Sequence, residues 1–269
     1  MAISLEQAEA GTILKVLAGS HIHGLNQPTS DRDEEAIVIE PLEAAYGLHQ
    51  PWEDLVRESP EKDVKYFSLR KWCRMALNGN PNFLLMLFAP PSHILRMDAR
   101  GSQLRDMAPM FISRVAIKSH LGYMQGQRQR LINHNKEFAS GGGHGKPRFE
   151  LIERYGYDTK FAMHLLRLGF QGCELGETGR LVLPMDPETR DVLMQVRNGE
   201  ESLDFVLDTA AILETKMKRI FDSNSCKLPD GPDYAAIEQF MLKCYIRTWA
   251  ADRVSQDIRE DARGFQSCE

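Results

Sequence analysis

Two aspartates two residues apart, Asp31 and Asp33, are the side chains in this chain best suited by type and spacing to do chemistry. On a strand or extended turn, positions i and i+2 share a face, so the two carboxylates project together. Like charges that close repel, and a divalent cation is the usual partner that makes the pair tolerable. Hard cations take oxygen ligands, and Mg2+ (or Mn2+) characteristically binds through few carboxylates plus substrate phosphates. Upstream, Gly19 lets the backbone approach a phosphate closely and Ser20 adds a hydroxyl donor. The chemistry implied is a phosphate-and-metal site for a nucleotide. An Asp-x-Asp pair alone is commonly a solvated turn and a Gly-Ser pair says less. Both together between two apolar segments say more.

Those segments are short buried strands. Residues 13–18 form an apolar run that breaks at Gly19-Ser20 and passes through a Gly/Asn/Pro/Ser-rich loop. Residues 36–39 form the second, stopped by Pro41. A third strand is expected over 63–69, with Val64 and Tyr66 on one face and Asp63 and Lys65 on the other. Residues 3–11 suggest a short helix, and 49–62 an exposed loop or short helix. Helical spacing runs from Leu69 to Asn78-Gly79. The apolar run 83–88 fits a buried strand or helix equally well. Residues 107–124 continue helical, with Arg114 and Lys118 on one face, and 125–136 fit a solvated helix surface.

In the second half Asp158 is an N-cap, Phe161, Leu165 and Leu168 form an apolar stripe, and Gly169 with Gly172 marks the exit. Lys160, His164 and Arg167, at i, i+4 and i+7, form a cationic stripe on the same helix. Close like charges need an anionic partner, and a triphosphate would serve. Residues 181–183 suggest a short strand. Asp186-Pro187 opens a helix to about Asn198, and two amphipathic helices follow over 203–221 and 232–254 before a polar tail. The segment 140–147 resembles a P-loop superficially, but Ser140 replaces the first glycine and Pro147 follows Lys146, so it is expected to be a hinge.

The order strand, Gly19-Ser20, helix-length gap with Gly24, Ser30-Asp31-Arg32-Asp33, strand resembles the signature of the DNA polymerase beta-like nucleotidyltransferase superfamily. Three further blocks are similar to its subfamily of predicted RNA-repair-pathway nucleotidyltransferases. They are DVKYFSLRKWCRMALNGNPNFLLMLF (63–88), AIKSHLGYMQGQRQRL (116–131) and GYDTKFAMHLLRL (156–168). The resemblance extends from about residue 12 to 170. It implies an α+β fold, with a small mixed-sheet core and flanking helices over 1–139, the hinge at 140–147, and a mainly helical part over 148–269. It implies Mg2+-dependent transfer of a nucleoside monophosphate from an NTP to an acceptor hydroxyl, with pyrophosphate leaving. Asp31, Asp33 and Asp63 would be the catalytic, metal-binding carboxylates. Gly19 and Ser20 would hold phosphates, and Lys118, Lys160, His164 and Arg167 would bind the nucleotide. His21 and His23 are not required and are expected to be exposed and structural. Where the subfamily commonly carries an x-R-G element after the DxD, Glu34-Glu35-Ala36 stands here, adding negative charge beside the metal site.

With 269 residues, 42% hydrophobic and 26% charged, the composition is that of a soluble globular protein. A net charge of −5 supplies no general field for long nucleic acid, so polynucleotide contact would need a local patch. Five cysteines without a CxxC pair argue against structural zinc or a disulfide framework. No signal-like start and no long apolar run are present, so a cytoplasmic protein without membrane attachment is expected. The acceptor stays open between an RNA end, a small molecule and a protein hydroxyl. A nucleotide-binding sensor without catalysis is the competing class.

Overall fold

The computed structural model describes residues 2–59, 62–139, 149–223 and 226–266, with side chains followed up to residue 253. The hinge expected at 140–147 lies outside the described residues. In chain order the elements are α1 (Leu5–Ala10), β1 (Thr12–Leu17), α2 (Gly19–His23), β2 (Asp33–Val38), α3 (Leu42–Tyr46), β3 (Asp54–Arg57), β4 (Asp63–Ser68), α4 (Leu69–Leu77) and α5 (Pro81–Phe88). A turn of 3-10 helix, Pro91–His93, leads to β5 (Ile94–Met97), α6 (Ala99–Asp106), α7 (Ala108–Phe111) and α8 (Arg114–Ala139). Five helices follow: α9 (Phe149–Tyr155), α10 (Thr159–Thr178), α11 (Pro187–Asn198), α12 (Leu203–Asp222) and α13 (Tyr234–Gln266). The fold is α+β, a mixed sheet flanked by helices with a helical C-terminal part. Among the described residues no helix is long and apolar enough to cross a membrane.

The sheet order is β3-β4-β2-β1-β5. β1 runs antiparallel to β2 and β5, β3 antiparallel to β4, and β2 parallel to β4. Strand alternation divides the sheet residues between two apolar clusters. Ala36, Val38, Val64 and Tyr66 face a small cluster with Ile3 and Ala8 beneath α1. Ile37, Ile39 and Phe67 face the large cluster, which runs without a break from Ile13 to Tyr245. Asp33, Glu35, Asp63 and Lys65 have the parity of that second face, at the N-terminal ends of β2 and β4. The polar end of a buried face is where the sheet can meet a ligand.

Side-chain caps fix where helices begin. Ser4 and Gln7 form a reciprocal capping box on α1, Ser68 caps α4, Asn80 caps α5 with Pro81 at its first turn, and Asp158 caps α10. Asp186 and Ser202 do the same for α11 and α12. Each satisfies backbone N–H groups that otherwise lack partners.

Several elements differ from the sequence expectation. β2 begins at Asp33, which sits on the strand itself. The 49–62 stretch contains β3, a short edge strand; the apolar 83–88 run, open between strand and helix, is the helix. β5 and α6 were not foreseen. The 107–124 helix is broken at Ile112–Ser113 between α7 and α8. Helix α10 passes through Gly169 and Gly172 to end at Thr178, because those glycines let α8 and α12 press against it. Residues 181–183 form no strand, and α13 stays helical to Gln266.

Candidate active site

At the end of β1 the chain turns into α2 through Gly19, whose φ is +61°. A Cβ built there would lie 2.0 Å from Asp33 Oδ2. Only glycine leaves that carboxylate its place. The Ala18 N–H donates to the Asp33 carbonyl at 2.8 Å, and the Asp63 N–H to the Arg32 carbonyl at 3.0 Å, so both ends of the acidic segment are tied to the sheet. In the parallel β2–β4 ladder Asp33 is the direct partner of Asp63, and Glu35 of Lys65. Directly paired residues share a face. Asp63 therefore stands beside Asp33, while Asp31 lies exposed on the loop before β2.

Burial raises the Asp33 carboxyl above the usual aspartate range, with Asp63 and Asp31 adding to the rise and Lys65 and Lys160 opposing it. Glu35 is pushed up to about 7, chiefly by desolvation, with Lys65 working the other way. The donor set is all hard oxygen with a surplus of negative charge, which suits a divalent cation. Among the described residues, no three His, Cys, Asp or Glu side chains converge closely enough to hold a metal as they stand. The fit thus rests on the Asp33–Asp63 pair, with Asp31 beside it.

The added charge expected from Glu34-Glu35 is only half realised. Glu34 turns to the opposite sheet face and is 3.3 Å from Lys15, 2.9 Å from Arg32 and 3.2 Å from Lys62. These pairs hold its carboxyl below the usual range despite burial. Glu34 and Glu35 both border the cavity, and Glu35 is the one on the Asp33 face of the sheet.

A cavity of about 580 Å3 opens over this corner, a volume ordinary for a nucleotide-sized ligand. Gly19, Ser20, Asp31 and Asp33 line one wall; Lys160, His164 and Arg167 of α10 line the other. The Asp158 cap, whose Oδ1 accepts from the Lys160 and Phe161 N–H groups at 3.0 Å, starts α10 in the register that presents this stripe. Arg167 forms the floor: it is 6% exposed, and its Nη1 donates to His23 Nε2 at 2.8 Å and to Gln171 Oε1 at 3.0 Å.

His23 is therefore not exposed, as the sequence had suggested. Burial, with Arg167 next, drives its pKa well below the usual range, so it stays neutral and accepts from the guanidinium. The backbone turn at Gly24 (φ +71°) aims this histidine inward. Lys118 is not brought to the cavity. It is exposed on α8, its Nζ 5.1 Å from the centre of the Phe221 ring.

Lys65, Asn82 and Arg197 are among the cavity residues that escaped the sequence reading. Lys65 had a signal, since it is two residues from Asp63 on a strand. Asn82, in the Asn-Pro-Asn segment, had a weaker one. Arg197 had none, arriving from α11 with its Nη1 donating to Thr159 Oγ1 at 3.2 Å.

Comparison with known proteins gives partial likenesses and one extensive match. An uncharacterized 38.9 kDa protein from the nrdC-mobD intergenic region of Enterobacteria phage T4 is 26% identical over 129 residues, 44% of this chain and 38% of the phage protein. This chain thus matches well under half the length of that relative. A nucleotidyltransferase-like protein of Exiguobacterium sibiricum 255-15, solved by crystallography, aligns with 80% of this chain and 70% of its own at 13% identity and a TM-score of 0.30, too partial an overlap to transfer residue roles. The extensive match, over residues 2–243, is to a family model, and by it the chain belongs to the RNA repair pathway DNA polymerase beta family of nucleotidyltransferases.

Proposed function

We propose that the protein transfers a nucleoside monophosphate from an NTP to the hydroxyl of an RNA end, releasing pyrophosphate, with Mg2+ or Mn2+ as cofactor. The observation that carries this is Gly19, Asp31 and Asp33 facing the Lys160–His164–Arg167 stripe across one cavity, with Asp63 paired to Asp33 on the neighbouring strand. Acidic oxygens on one wall and cations on the other match a triphosphate and the metal that accompanies it.

In this mechanism Gly19 and Ser20 contact the β- and γ-phosphates, the glycine by admitting close backbone approach and the serine by its hydroxyl. Lys160, with Arg197 and the buried Arg167, neutralises charge gathering on the leaving pyrophosphate. Asp31, Asp33 and Asp63 would hold the divalent cation, which when bound neutralises phosphate charge and acidifies the acceptor hydroxyl. Asp63, beside Asp33, takes the proton of that hydroxyl as its oxygen bonds to the α-phosphorus and the bond to the β-phosphate oxygen breaks. Lys65, on the neighbouring strand, opposes the rise that burial gives the Asp33 carboxyl.

The test uses α-labelled ATP, CTP, GTP and UTP with wild type and the Asp31→Asn/Asp33→Asn double variant. Total RNA, small molecules and cell protein serve as acceptor pools, with Mg2+ or with chelator. Metal-dependent label on RNA that vanishes in the variant is expected. Label on protein or on a small molecule would move the acceptor class. Binding of NTP without transfer to any pool would replace the enzyme by a nucleotide sensor.

A further inference from the structure

A second hollow, of about 680 Å3, opens along α8 and shares Asn82, His164 and Arg167 with the cavity just described. Its long wall is one face of α8. Ser119, Gly122, Tyr123, Gly126, Gln127 and Arg130 fall at i, i+3, i+4, i+7, i+8 and i+11, the repeat of a single helical stripe. The core face of the same helix is separate, formed by Ala116, Ile117, His120, Met124 and Leu131. The stripe thus lies outside the apolar core, with the Tyr123 hydroxyl as its hydrogen bond to the neighbouring α5 cap, and it is far from an ordinary charged surface.

Its chemistry is specific. A Cβ added at Gly122 or Gly126 would meet nothing within 4 Å, so the helix backbone lies open as a flat floor. Tyr123 stands 41% exposed beside that floor, its hydroxyl accepting from Asn80 Nδ2 at 2.6 Å. Asn80 is itself the buried cap of α5, which ties the ring's position to the sheet-side helices. Gln127 carries a buried Oε1 with no hydrogen-bond partner. At the inner end Arg167, more than nine-tenths buried, leaves its Nε without a partner where the two hollows meet. An aromatic ring, an open flat backbone, an amide oxygen and a guanidinium Nε without partners are what a base and ribose require for stacking and edge hydrogen bonds.

We infer that the α8 groove is a nucleoside-binding subsite, placed so that a phosphate attached to the nucleoside enters the neighbouring cavity past Arg167. This rests on the function proposed above, and the nucleoside can belong to the donor NTP or to the terminal residue of the acceptor RNA. Both present the same base-and-ribose chemistry, and binding separates them.

The test fills the groove without touching the core, using Gly122→Leu and Gly126→Leu in the full chain. Both positions are open helix-surface sites where leucine is the better helix former, and thermal melts confirm folding. Tyr123→Ala is the third variant. Binding is measured for tripolyphosphate, for each NTP, and for a short single-stranded RNA with a free 3′ hydroxyl. Tripolyphosphate affinity is expected to hold within about twofold, while nucleoside-bearing probes lose about tenfold, the scale of one lost base stack. Loss for NTPs alone assigns the groove to the donor, and loss for RNA alone assigns it to the acceptor. Unchanged affinity for both, in folded variants of a protein that binds them, overturns the subsite and leaves the transferase standing. A wild type that transfers no label but loses RNA affinity on filling supports the groove while the transferase reading fails. A wild type that binds neither probe overturns both.

Discussion

Gly19 and Asp33 occupy one another's space, and that fixes the sharpest expectation for a single residue. Gly19→Ala would put a methyl group 2.0 Å from Asp33 Oδ2, on a backbone at φ +61°. The left-handed conformation costs a non-glycine residue about 1–2 kcal/mol. The displaced carboxylate matters more, because a misplacement of about 1 Å in a catalytic group can cost about 100-fold. Label transfer should fall at least that far while the melting temperature drops only a few degrees; an alanine variant of wild-type activity would remove Asp33 from the mechanism. The two lysines of the nucleotide-binding set separate equally cleanly. Lys160→Ala is expected to weaken NTP binding about 10- to 100-fold, the loss of one charge-assisted contact. Lys118→Ala should leave it unchanged, since Lys118 lies over Phe221 outside the cavity. Titration calorimetry on the pair decides it. Asp31, Asp33 and the α10 stripe were legible because each rests on local periodicity. The His23–Arg167 contact spans 144 residues of sequence, and no local pattern announces it.

Helix α10 carries that cationic stripe, and its opposite face explains why it runs so long. Gly169, Gly172 and Gly176 recur at helical spacing, and added Cβ atoms would collide with Leu213, Met217 and Ile220 of α12 and with His120 and Ile117 of α8. Read locally, glycine is a stop signal; here each one is the gap into which a neighbouring helix fits. The propensity cost is outweighed by close packing. Gly172→Val would set a branched side chain 2.3 Å from Met217 Sδ and 3.0 Å from His120 Cβ, and should cost about 1–3 kcal/mol as overpacking. Urea denaturation would measure it, and reduced NTP affinity should accompany it as α10 shifts Lys160 and Arg167. A variant as stable as wild type would mean that the helices do not bear on one another there. The same physics separates the elements that could be read from those that could not. β1, β2, α11 and α12 announce themselves through apolar periodicity and caps. β3 and β5 are four-residue edge strands with mostly exposed side chains, held only by partners remote in sequence. Their alternation is too short to stand out.

At the scale of the molecule, α13 returns from the helical part to clamp the sheet. The Tyr245 hydroxyl donates to the Glu40 carboxyl at 3.0 Å and accepts from the Arg70 N–H at 3.1 Å, while Trp249 Nε1 donates to the Glu40 carbonyl at 2.9 Å. Glu40, just past β2, is 1% exposed, and burial raises its carboxyl to about 7, with the Tyr245 hydrogen bond and the Arg70 charge only partly opposing. The folded protein therefore holds a proton on Glu40 that the unfolded chain releases near its ordinary value of about 4.5. Between those two values the native state binds more protons, so stability falls as pH rises through the window and is flat above it. The protonated carboxyl contributes fully below about 4.5, and its contribution is gone above about 7. Glu40→Gln keeps an acceptor for Tyr245 and cannot ionise. Denaturation at pH 5 and pH 8 should show wild type losing on the order of 1–3 kcal/mol relative to the variant between the two. A constant difference at both pH values would show that Glu40 is already charged in the fold. The clamp would then need a compensating cation beside it, and Arg70, whose backbone N–H already meets Tyr245, is the nearest group able to supply one.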